Sequence, residues 1–101
     1  MPQTVLLSAF AGLMAANALP HFVSGITGRP YPSVTGNGPV PNAIGGWALF
    51  VIAGLSLYWA RPGDHPGAAC VAAALGALPM AVFHAAGGPA WVNTRSGRPN
   101  P

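Results

Sequence analysis

The chain has 101 residues, of which 5% are charged and 51% apolar, against about 25% charged in an ordinary soluble domain. So few charges cannot cover the surface of a water-soluble domain of this size, and four arginines with one aspartate form no basic run that could follow nucleic-acid phosphates. The single cysteine, Cys70, excludes an internal disulfide and any cysteine-based zinc set, and its place among alanines predicts a small packing residue.

The first apolar block covers residues 4–26. As a helix, 23 residues reach about 34 Å, enough to cross a bilayer. The "ANA" at residues 16–18 resembles a signal-peptide cleavage site, but the preceding "MPQT" has no Lys or Arg, so a spanning helix is the expectation. The block ends on "NALPHF", residues 17–22, with an amide, a proline and an imidazole in what should be hydrocarbon. Asn17 and His21 are four apart and share a helix face. Pro20 lacks an N–H and crowds the carbonyl of Ala16.

Residues 28–42, "GRPYPSVTGNGPVPN", hold four prolines and three glycines, which predicts an irregular, partly extended loop. A second apolar helix is expected over 43–60, and a tight hairpin over 61–67, where Arg61 snorkels toward water. A third helix is expected over 68–87. It carries two small-residue stripes, Ala69–Ala73–Ala77 and Ala68–Ala72–Gly76. With Gly12 and Ala16 on the first helix and Gly45 and Gly46 on the second, these suit close helix approach, either within the chain or to a partner. Residues 88–101 read as a flexible tail with Trp91 at headgroup depth.

The fold class is therefore an all-α membrane protein with three transmembrane helices in one domain. Arg29, Arg95 and Arg98 share one side and Arg61 is alone on the other. The positive-inside rule then places the N-terminus outside and the C-terminus in the cytoplasm of a bacterial inner membrane. A bacterial source is suggested by the Ala, Gly, Pro and Arg richness without lysine.

Three crossings bring Asn17, His21, Asn42, Trp47, Phe83 and His84 to one leaflet. Polar groups at membrane depth are costly unless partnered and usually face a bundle interior or a water-filled cavity. Asn17, His21, Asn42, Trp47 and His84 thus form either an interhelical hydrogen-bonding cluster or a ligand site, for a quinone headgroup or a proton relay. His21 and His84, with Met80 one turn before His84, also suit a haem or copper site, although neither histidine belongs to an H-x-x-x-H repeat. Arg29 is a candidate contact for anionic headgroups or a partner carboxylate.

The stretch "NALPHFVSGITGRPYPS" followed by "PNAIGGWALFVIAG" resembles small bacterial inner-membrane proteins with an asparagine-proline-histidine helix end, a GRP-type loop and an Asn-x-x-x-Gly-Trp helix start. The resemblance covers residues 17–54 and implies no activity. It implies that Asn17, Pro20, His21, Gly28, Arg29, Pro30, Asn42, Gly46 and Trp47 work as a unit.

No nucleophile stands at a readable spacing from a base, and no phosphate-cradling glycine loop is present. Ser8 and Ser56 read as ordinary helix serines. The expectation is a non-enzymatic accessory subunit in contact with lipid, associating with itself or a larger membrane complex. The alternatives are a small oligomeric transporter or channel, or a quinone- or haem-binding redox subunit.

Overall fold

The computed structural model describes all residues from Met1 to Pro101. Helix α1 runs Pro2–Ile26, α2 Pro39–Ala60, α3 Pro66–Ala85 and α4 Gly88–Arg95, with one 3₁₀ turn at Pro62–Asp64. There are no strands. The first three helices are long and apolar enough to cross a bilayer.

Proline sets the starts. Pro2, Pro39 and Pro66 each stand in a first helical turn, where the missing N–H has no intrahelical partner to lose. Helix α2 therefore begins four residues ahead of the expected 43, with Pro39 and Pro41 inside its opening turn. The internal prolines, Pro20 and Pro79, do not break α1 or α3.

The packing is inside out relative to a soluble protein. The buried apolar residues are all alanines: Ala11, Ala18, Ala53, Ala60, Ala69 and Ala72. Large apolar residues such as Leu6, Ile44, Leu55, Leu75 and Val82 face outward. Helix α1 is the hub, packed on α2 along one side and on α3 along the other, while α2 and α3 barely meet. At the α1–α3 crossing, a Cβ added to Gly12 would land on the Ala73 carbonyl, and one on Gly76 would land on the Ala9 carbonyl. At the α1–α2 crossing, Gly46 lies against the backbone of Phe22. The small-residue stripes of α3 are thus spent inside the chain: Ala69 and Ala72 are buried, and Ala73 and Gly76 abut α1.

Cys70, expected as a packing residue, is exposed on the outer side of α3. It is one residue from Ala69, about 100° around the helix. At the far end of the bundle, Gln3 Nε2 donates to the Trp59 carbonyl and Thr4 Oγ1 to the Ala60 carbonyl at 2.7 Å. These bonds satisfy carbonyls that the C-terminus of α2 leaves open. Arg61, left-handed at φ 53°, turns the chain toward α3 and pairs with Asp64 at 3.3 Å on the surface.

The expected flexible tail is not one. Gly87 is left-handed at φ 81° and stops α3, and Pro89 opens α4. Asn93 is fully buried, donating from Nδ2 to Asn37 Oδ1 at 3.0 Å, and Asn37 Nδ2 donates to the Pro99 carbonyl at 2.7 Å. The polar composition of 88–101 reflects binding to the loop rather than freedom in water.

Gly12→Ala is expected to lower stability by about 1–3 kcal/mol, because its methyl meets backbone that cannot yield. Gly54→Ala, where nothing lies within 4 Å, is expected to be neutral or stabilising by up to about 1 kcal/mol. Unfolding of both variants in mixed micelles against a denaturing detergent tests the pair. Equal effects would contradict the crossing.

Candidate functional site

Asn42 lies in the first turns of α2 and is 1% exposed. Its Nδ2 is surrounded by the carbonyls of Tyr31 at 2.9 Å, Gly38 at 2.9 Å and Gly36 at 3.3 Å. Three acceptors around one end of the amide fix which end is nitrogen. Oδ1 must then be the acceptor for His21 Nδ1–H, at 2.7 Å. One carboxamide therefore folds the loop back onto α2 and ties α1 to both.

His84, in the last turn of α3, donates Nδ1–H to the Met80 carbonyl at 2.9 Å. A carbonyl cannot donate, so the proton on this ring is also at Nδ1. Its Nε2 is buried without a partner, and His21 Nε2 makes no hydrogen bond either. The imidazoles pack edge to face with centroids 5.6 Å apart. Tyr31 lies edge-on to His21 at 5.1 Å and stacks on His84 at 6.4 Å, and Phe83 lies edge-on to His84 at 5.5 Å. Burial pushes the Tyr31 phenol above its ordinary value, because the phenolate loses hydration.

Beside this cluster is a cavity of about 390 Å³, within the size range of small-ligand sites. Asn17 and His21 of α1 form its back wall, Asn42, Gly45, Ala48 and Leu49 of α2 one side, and Phe83 and His84 of α3 the other. Loop residues 32–35 and Pro89 and Val92 of α4 cover it. Helices α2 and α3 barely meet, so the two sides of the cavity are not packed on each other.

The structure brings His21, Asn42 and His84 together. Asn17 lines the same cavity but forms no hydrogen bond, so it does not link helices; its carboxamide is left for a ligand or water. Trp47 does not join. It is 60% exposed, because five residues beyond Asn42 is about 140° around the helix; Gly46, one residue earlier, shares the buried face instead. Met80 contributes its carbonyl, not its sulfur. Nδ1-anchored imidazoles resemble metal-ligating histidines, but no third His, Cys, Asp or Glu joins them. An axial haem pair needs two ring edges facing along one line, whereas here one ring's edge meets the other's face. Arg29 is exposed beyond α1, and His65 starts α3 at the opposite end.

Sequence reasoning misses Tyr31, Asn37 and Asn93. Tyr31 sits between prolines that hold it extended, and its stacking on two histidines has no sequence spacing to reveal it. Asn93 follows a glycine–proline helix start, a signal that does mark a fourth helix.

Comparison of the chain with protein-family models, curated proteins and solved structures gives no match.

Asn42→Leu is expected to cost about 2–3 kcal/mol, because it strands loop carbonyls and the His21 N–H. His21→Phe keeps the ring packing and loses one bond, at about 0.6–2 kcal/mol. Thermal unfolding in detergent reads both, and a smaller loss for Asn42→Leu than for His21→Phe would contradict this arrangement. Tyr31 also predicts a pH dependence. A phenol raised in the folded state stabilises fully below its unfolded pKa, and that contribution is lost as pH rises through the folded value. Stability should therefore fall above about pH 10, and less steeply in Tyr31→Phe. Identical alkaline limbs would count against burial of the phenol.

Proposed function

We propose that this chain is a small non-enzymatic protein of a bacterial inner membrane that binds the polar head of a lipid-soluble ligand at one leaflet. The observation that supports this reading is the cavity, where His21 Nε2 and the Asn17 carboxamide keep polar atoms without protein partners, with the unpartnered His84 Nε2 buried beside it. Such groups cost free energy at membrane depth unless something fills the site. The sparse contact between α2 and α3 suits a ligand whose tail stays in lipid. Arg29, Arg95 and Arg98 lie at the same end, so the positive-inside rule puts the site in the cytoplasmic leaflet, with Arg29 free to meet anionic headgroups.

A second reading, an accessory subunit that self-associates or joins a larger complex, is favoured by one observation. Gly67, Cys70, Ala74, Ala81 and Ala85 are all exposed and fall along one outer side of α3, interrupted by the exposed Leu78. This small-residue stripe is separate from those used against α1, and such stripes serve close helix approach in membranes.

Native mass spectrometry after gentle extraction tests both readings. The binding reading expects a retained non-protein mass of lipid size, lost in Ala48→Phe, which fills the cavity while α2 stays intact. A wild-type protein without adduct would overturn it. Self-association expects a Cys70–Cys70 crosslink on mild oxidation in membranes, and a monomer without crosslink would remove that reading.

A further inference from the structure

Only some of the polar groups that line the cavity are free to meet a ligand. Asn42 is spent, because Nδ2 meets the loop carbonyls and Oδ1 accepts from His21. His84 offers only its ring, with Nδ1–H on the Met80 carbonyl and Nε2 buried out of reach. His21 gives its Nδ1 proton to Asn42, so Nε2 of the neutral ring is left as an acceptor. Asn17 makes no hydrogen bond, which leaves Oδ1 as a second acceptor and Nδ2 as a donor. The hydroxyls of Ser33 and Thr35 lie 3.0 Å apart and one donates to the other. The second hydroxyl proton of that pair is then a further donor, whichever residue carries it.

The free set therefore mixes donors and acceptors, and no formally charged residue lines the cavity. The sole acid, Asp64, pairs with Arg61 at the opposite end. Arg29 is exposed beyond α1 and Arg95 lies over Trp91. Arg98 borders a neighbouring recess that shares only loop residues 33–35 with the cavity. An ionic head placed in the cavity would lose hydration without meeting a counter-charge, the costly case at membrane depth. A carboxylate or fully ionised phosphate also only accepts, and an ammonium only donates, so each leaves part of the set unmet. A hydroxyl does both. Leu49, Phe83 and Val92 on the same walls suit the start of an apolar chain.

Resting on the ligand-binding reading above, we infer that the site takes an uncharged lipid head with neighbouring hydroxyls, of the glycerol type, and discriminates against the same head carrying a phosphate. The hydroxyls donate to His21 Nε2 and Asn17 Oδ1 and accept from Asn17 Nδ2 and the Ser33–Thr35 pair. A phosphate in their place strands the two acceptors and brings a charge that nothing in the lining balances.

The test is titration of the full chain with monodecanoylglycerol and, separately, with the same molecule phosphorylated on its terminal hydroxyl. Micelles of an amine-oxide detergent, whose head bears no hydroxyl, avoid competition, and about 0.5 M salt screens the surface arginines. The expected result is glycerol-lipid binding at least about tenfold tighter than binding of its phosphate, the scale of one buried polar group gaining or losing its partner. Asn17→Leu removes a donor and an acceptor that bind nothing in the protein. It should leave the melting temperature unchanged and weaken glycerol-lipid binding about fivefold or more. Equal or tighter binding of the phosphate by the wild-type protein overturns the inference and leaves the cavity reading standing, as does an unchanged glycerol-lipid affinity in Asn17→Leu. No binding of either lipid also overturns it, and the native mass spectrum then decides separately whether the cavity holds some other amphiphile.

Discussion

The polar end of this molecule depends on the carboxamide of Asn42. A loop of twelve residues between two long apolar helices has backbone groups that neither helix can satisfy. Asn42 Nδ2 supplies the missing donor to the carbonyls of Tyr31 and Gly36 and adds a second to that of Gly38, which also accepts the Asn42 backbone N–H. Doing so commits its oxygen to His21. Loop conformation, the α1–α2 link and the proton position on one imidazole are therefore one constraint. Tyr31, pinned by its own carbonyl, then lies against both imidazoles.

The rest of the bundle is held by proximity rather than apolar burial. Lipid chains solvate leucine as well as another leucine does, so large side chains gain nothing by turning inward. They are left outside, and alanine and glycine line the contacts, where backbones approach closely enough for dispersion to accumulate. With α1 as the common partner, the other two helices need not touch. The space between them is where the cavity lies, so the site is a by-product of a hub architecture in a bundle too small to enclose a core.

What could be read from the sequence follows from what is one-dimensional in it. Length and hydropathy give three spans, and the two crossings between His21 and His84 return the chain to the same end whatever the orientation. Asn42 is visible as a polar residue at a helix start, but its partners are backbone carbonyls, which carry no residue signature. Trp47 is a matter of helical phase: the residue next to Gly46 in sequence is turned about 100° away from it in space. The small residues of α3 recur on several faces, and which face meets α1 depends on tertiary packing; hence Ala69 is inside and Cys70 outside. The start of α2 is displaced because Pro39 and Pro41 act as breakers within a helix but not in its opening turn. The end of the chain misleads for a related reason, since Asn93 is polar in composition yet buried by a partner, Asn37, 56 residues away.

The ion pair between Arg61 and Asp64 has an effect well outside its own turn. It leaves that end of the rod with no net side-chain charge, so the whole formal +3 resides on the other. In side-chain charge, the molecule presents +3 at one end and none at the other. At about 1 kcal/mol per arginine near an anionic surface, that asymmetry amounts to roughly 3 kcal/mol favouring one insertion sense, and it weakens with added salt.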